Sequence, residues 1–110
     1  MTVRELSENA KFKALTLPCP EREIHGVYVG DLLSWVMGRA KADNAWITIM
    51  SNVNVLAVAT LADIACVILA EDVVPDPEVL TAALEKGINV LSTPLTAYEA
   101  AVVLSRQEKI

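Results

Sequence analysis

Residues 46–70 read WITIMSNVNVLAVATLADIACVILA, and this stretch decides the fold. WITIM (Trp46 to Met50) is short, apolar and partly β-branched, as a buried strand requires. Ser51-Asn52-Val53-Asn54 interrupts it with turn-forming residues. VLAVATLAD then reads as a helix apolar nearly all round, which implies burial on several sides. IACVILA (Ile64 to Ala70) is a second apolar run of strand length. Two buried strands joined through a helix make a βαβ unit, with parallel strands and a right-handed crossover.

The same pattern continues towards the C-terminus. Asp76-Pro77 sets a capping residue before a proline at the first helical position, where the missing N–H costs nothing. EVLTAALEK extends the helix, and Gly87 ends it as a left-handed residue. INVL (Ile88 to Leu91) is a strand broken by Ser92-Thr93-Pro94. Thr96-Ala97-Tyr98-Glu99 has capping-box spacing and opens a last helix towards Gln107.

Towards the N-terminus, IHGVYV (24–29) is β-rich but interrupted by Gly26, a sign of a bulge or a close backbone approach. Gly30-Asp31 opens a helix over LLSWVMGRA, with Asp31 as its expected cap and Leu32, Trp35 and Val36 on its buried face. Lys11 to Thr16 suits a short strand stopped by Pro18-Cys19-Pro20. Thr2-Val3-Arg4-Glu5 is a capping box for a short helix fading near Asn9. The alternation predicts an α/β fold: one domain over residues 1–110, with a small, mainly parallel sheet flanked by helices.

Bulk composition narrows the function. The hydrophobic fraction is 54 % against 21 % charged residues, more apolar than one small core can absorb, so an interface is expected. A membrane span is not: the most apolar run, Val55 to Ala70, contains Asp63 and falls short of the roughly 20 residues a span needs. The polar start MTVRELSENAKFK does not resemble a secretory leader, which points to the cytoplasm. A net charge of −5 with scattered Lys and Arg argues against nucleic-acid and anionic-membrane partners. Cys19 and Cys66 are too few for a disulfide framework or a zinc site, and Cys66 falls in an apolar strand where a thiol acts as a small hydrophobe.

Ligands of open parallel sheets bind beyond the carboxyl ends of the strands. Three such ends carry polar residues: Ser51, Asn52 and Asn54; Glu71 and Asp72; Ser92, Thr93 and Thr96. If the strands are neighbours, these groups share one rim beside helix N-termini, a place for a nucleotide or a phosphorylated metabolite. The alternative is that they serve turns and caps. Catalytic constellations are scarce. His25, the sole histidine, sits beside Gly26 in the expected strand with no partner set by spacing, and is expected to be structural. Cys19 reads as a loop cysteine. Glu71 and Asp72 suit solvated acids better than a metal site. No phosphate-binding glycine loop occurs among Gly26, Gly30, Gly38 and Gly87. No cofactor or metal is expected.

The stretches GVYVGDLLSWVMGRA, WITIMSNVNVLAVATLADIACVILA and PDPEVLTAALEKGINVLSTPLTAYEAA resemble a DRTGG domain over roughly Gly26 to Ala101. The most specific part holds Pro75, Pro77, Gly87 and Ser92-Thr93. That family is similar to the N-terminal domain of HPr kinase/phosphorylase, and occurs in bacterial phosphotransacetylases, in CBS-containing pyrophosphatases and as short stand-alone proteins. Two departures stand out. Ser51-Asn52-Val53-Asn54 replaces the Asp-Arg of longer relatives, and Ala70-Glu71-Asp72 stands where many have Thr-Gly-Gly. The resemblance implies an HPr-kinase N-domain-like fold, an intracellular setting and a homodimer whose role is regulatory and non-catalytic. A scaffolding partner of another protein, or a phosphate-handling enzyme using Asp31, Glu71 or Asp72, are the other readings. The dimer is expected to form through Leu32 to Met37 with Trp35, or through exposed parts of the Val55 to Leu61 helix.

Overall fold

The computed structural model describes residues 1–108. Its elements run α1 (Val3–Ser7), β1 (Lys13–Thr16), β2 (Val27–Val29), α2 (Leu33–Arg39), β3 (Ala45–Thr48), α3 (Asn54–Ala62), β4 (Cys66–Leu69), α4 (Pro77–Lys86), β5 (Val90–Ser92) and α5 (Ala97–Glu108). The strands form one sheet in the order β1-β5-β4-β3-β2. β2 to β5 are parallel and lie side by side in chain order, while β1 runs antiparallel at the β5 edge. A bulge between Ala14 and Thr16 interrupts that last ladder. The Thr16 hydroxyl spans the gap, donating to the Ile88 carbonyl and accepting from the Val90 N–H.

Successive crossovers of one hand, advancing in one direction, must leave their helices on one face. Accordingly, Val36 of α2, Leu56 and Ala59 of α3, and Val79 and Ala83 of α4 pack with Trp46, Val67, Leu69 and Val90. On the other face α1 and α5 bring Val3, Leu6, Ala100 and Leu104 against Ala45, Ile47, Cys66, Ile68 and Leu91. β3 and β4 are buried along their whole length because both faces are covered. Burial pushes the Cys66 thiol up to about 12, so it stays protonated.

Local signals hold where their partners are local. Both capping boxes form, Thr2 with Glu5 and Thr96 with Glu99. Pro77 opens α4, and Gly87 closes it with φ +72°. Gly26 marks a close approach: a Cβ there would lie 2.9 Å from Asn44 Nδ2, which donates to the His25 carbonyl.

Four expectations are corrected. Asp31 does not cap α2: the cap position is Leu32, and no side chain caps the helix. Of the face expected to be buried on α2, only Val36 is; Leu32 is 62 % and Trp35 57 % exposed. α2 lies beside the edge strand β2, so it has a helical neighbour, α3, on one flank only. α3 likewise buries one side, leaving Ala57, Thr60 and Leu61 outward. His25 precedes β2 rather than lying in it, is exposed, and makes no side-chain hydrogen bond among the described residues.

At the amino ends of the strands, buried Asn89 binds both backbone groups of Cys19 and donates to the Ala65 carbonyl. Half-buried Arg22 bridges Asp43 and Asp63, both held at positive φ. Burial works against the Arg22 charge, but its hydrogen bonds to Asp63 and Asp43 outweigh this and raise its pKa. This edge is a structural clamp.

Candidate functional site

The four parallel strands end together on the opposite edge, and the antiparallel β1 begins there with Lys13 paired to Ser92. The edge is shaped by residues whose polar groups have distinct duties.

Asp31, just past β2, ties the ends of β2 and β3. One of its carboxylate oxygens accepts from the Thr48 hydroxyl at 2.8 Å and from the Ile49 N–H at 2.9 Å. The Thr48 oxygen in turn accepts from the Met50 N–H at 3.1 Å. These bonds set the course of the 49–52 segment. Asn52 completes it: its Oδ1 accepts from the Asn54 N–H, the side-chain turn that leads into α3.

Beyond β4, Glu71 and Asp72 both have positive φ, 58° and 59°, and the Val73 N–H donates to the Ala70 carbonyl. Positive φ at both central positions is the pattern of a type I′ turn, which favours glycine, asparagine or aspartate. Tertiary bonds hold it, with the Glu71 N–H on Leu95 and the Asp72 N–H on Thr93. The turn projects Val73, Val74 and Pro75 across the rim and creates a cavity on either side of them. One, of about 300 Å³, is lined by Ile49, Met50, Ser51, Asn52, Val74 and Asp76. The other, of about 250 Å³, is lined by Lys13, Leu15, Asp72 and Ser92 along with Val73 to Pro75. Beneath them the core is filled, with only about 10 Å³ free among Met50, Leu56, Val67 and their neighbours. The open space at this end of the sheet thus lies on the rim rather than within the core.

The residues singled out from sequence divide accordingly. Ser51 and Asn52 line the first cavity and Ser92 the second, beside Asp72. Asn54, Glu71, Thr93 and Thr96 line neither. Thr93 is buried, and its hydroxyl accepts from the Leu95 N–H. Thr96 is committed to Glu99: its backbone N–H and hydroxyl bind that residue and hold its carboxyl below the ordinary 4.5. The side chains of Asn54 and Glu71 are exposed. Sequence reasoning missed Ile49, Met50, Val74, Asp76 and Lys13, since apolar positions and a helix cap carry no local mark of a cavity. Only the strand order shows that Lys13 reaches this edge.

Among the described residues, no group of three or more His, Cys, Asp or Glu is placed to hold a metal ion, and no helix is long and apolar enough to cross a membrane. His25 lies at the amino ends of the strands, away from both cavities. Among the described residues, no base is hydrogen-bonded to the Ser51 hydroxyl. Among the described residues, no nucleophile–base pair is assembled at the rim.

Comparison with known proteins agrees with this architecture. The family model of the DRTGG domain matches residues 21–107. Among solved structures, the fold is similar to the CBS and DRTGG domains of the regulatory region of Clostridium perfringens pyrophosphatase, crystallised with its activator diadenosine tetraphosphate. The TM-score is 0.73 at 14 % identity, and the match covers 94 % of this chain and 45 % of that one. The chain thus spans less than half of that structure. No curated protein matches the sequence.

Proposed function

The chain belongs to the DRTGG domain family, and on that premise we propose that it is a non-catalytic regulatory module that senses a small ligand at the carboxyl edge of its sheet. The carrying observation is the pair of rim cavities around Val74 and Pro75, lined by Ser51, Asn52, Asp72, Asp76, Ser92 and Lys13 without a nucleophile–base pair. The ligand class is a nucleotide or a phosphorylated metabolite. The pyrophosphatase regulatory region with its dinucleotide activator supports including nucleotides.

The module acts as a cytoplasmic homodimer. Support comes from the apolar composition and from α2, where Trp35 and Met37 are exposed, with exposed Leu32 at the cap one turn before Trp35. Trp35 also stacks under Arg39, whose guanidinium lies 3.8 Å from its ring centroid, so an exposed aromatic ring carries a cation. The same face favours a second reading, a scaffold for another protein.

Thermal-shift and calorimetric titration with adenine nucleotides, acyl phosphates and phosphosugars tests the sensing role. Ligand at a hundredfold excess over Kd adds about 2.7 kcal/mol, a rise in Tm of several degrees for a domain of this size. No shift with any member of the panel would refute it. Light scattering of the wild type and Trp35→Asp tests the dimer: a micromolar monomer in the wild type refutes it. A dimer unaffected by the substitution places the interface elsewhere than α2.

A further inference from the structure

We propose that the cavity between Met50 and Val74 takes the nucleoside part of a ligand: a base against Ile49, Met50 and Val74, and ribose hydroxyls on the Asp76 carboxylate, with no phosphate held there. This rests on the ligand-sensing reading and narrows its chemistry.

Three observations lead to it. The cavity, about 300 Å³, is at the small end of the range of organic-ligand sites and far larger than an ion requires. Its apolar wall is unusually open, with Val74 84 % and Ile49 44 % exposed, and Met50 is an adaptable side chain that can settle on a flat ring. Finally, among the described residues the polar groups around it keep free hydrogen-bonding capacity. Asp76 occupies the cap position of α4 yet accepts no hydrogen bond from its own helix, so both carboxylate oxygens remain available. Asn52 uses its oxygen on Asn54 and keeps both amide hydrogens, and the Ser51 hydroxyl is free.

Charge then discriminates between ligands. Among the described residues no lysine or arginine lines this cavity, and the one charged side chain there is the acid Asp76. A phosphate there would face a carboxylate with no cation between them, whereas a vicinal diol can donate one hydrogen bond to each oxygen, a charge-assisted pair. The donors of Asn52 and Ser51 suit the acceptor nitrogens and carbonyls of a base. Among the described residues, the basic side chain lining either cavity is Lys13, on the far side of Val74 and Pro75 beside Asp72.

Calorimetry and amide NMR titration with the four ribonucleosides, their 2′,3′-dideoxy forms, their 5′-monophosphates, ribose 5-phosphate and inorganic phosphate test this directly. The expected result is that a ribonucleoside binds at least as tightly as its monophosphate and moves the amides of Ser51, Asn52 and Val74. The dideoxy form should bind about tenfold or more weakly, and Asp76→Asn should remove that difference. Asn caps a helix as well as Asp does, so the variant keeps the fold, which circular dichroism checks. Tighter binding of the monophosphate by tenfold, or indifference to the hydroxyls or to Asp76→Asn, overturns the proposal. So does the absence of nucleoside binding. If an acyl phosphate or phosphosugar binds in that case, the broader sensing role survives and only the nucleoside assignment falls.

Discussion

Replacing Asp31 separates two accounts of the rim. One carboxylate oxygen accepts from the Thr48 hydroxyl and the Ile49 N–H, and Thr48 passes the constraint on to the Met50 N–H. Hydrogen bonds to a charged group contribute about 1.5–3 kcal/mol each where water is excluded. Asp31 is exposed, so about 1 kcal/mol per bond is a fairer figure, and Asp31→Ala should cost about 2 kcal/mol. For a small domain with about 5–15 kcal/mol in total this is easily measured. Urea unfolding followed by the fluorescence of buried Trp46 should show a midpoint lowered by about 1 M with an unchanged slope. Hydrogen exchange should quicken at the Ile49 and Met50 amides and remain slow in β4. Asp31→Asn keeps an acceptor and should lose about half as much. Asp31→Ser decides the matter. Serine is as good a helix cap as aspartate, so a capping role would leave stability almost intact, whereas a side chain too short to reach Thr48 and Ile49 should behave as alanine does. Wild-type stability in the serine variant, or full protection of the Ile49 amide in the alanine variant, would refute the tie between β2 and β3.

Asn89→Ala strands both Cys19 backbone groups and the Ala65 carbonyl; a loss of about 3 kcal/mol in denaturant titration is expected, and less than 1 would mean that water replaces the side chain. Glu71→Gly should stabilise the fold by up to about 1 kcal/mol, since it relieves a left-handed non-glycine residue at some cost in chain entropy, while Glu71→Val should destabilise it by at least as much. Hydrogen bonds from Thr96 lower the Glu99 carboxyl below 4.5 in the folded state, so the stability it contributes is complete above that pH and is lost as the pH falls through the folded value. Urea midpoints from pH 6 to 2.5 should therefore drop less steeply in Glu99→Gln than in the wild type. Maleimide labelling should modify exposed Cys19 in the native protein and buried Cys66 only after denaturation; rapid native labelling of both would contradict the buried β4.

What the sequence by itself determined is the set of local elements. The Thr2–Glu5 and Thr96–Glu99 boxes, Pro77 at the head of α4 and Gly87 at its foot act within a turn or two of chain, so their reading needs no partner from elsewhere. The apolar runs of β3 and β4 likewise required cover on both faces wherever they fell. Strand order was a different matter. β1 enters beside β5, more than seventy residues along the chain, and this alone brings Lys13 to the rim. Asp31, whose position invites a capping role, instead binds groups 17 and 18 residues away at the end of β3, while Leu32 takes the cap position of α2. The outward turn of Trp35 follows from α2 lying over the last strand of the sheet, a fact of topology that helical periodicity cannot carry. The cavity that joins Ser51 and Asn52 to Asp76 lies beside Val74, which follows the Glu71–Asp72 turn held by bonds to Thr93 and Leu95. Short-range hydrogen bonds are written in neighbouring residues, whereas a rim is made by which loops the packed sheet sets side by side.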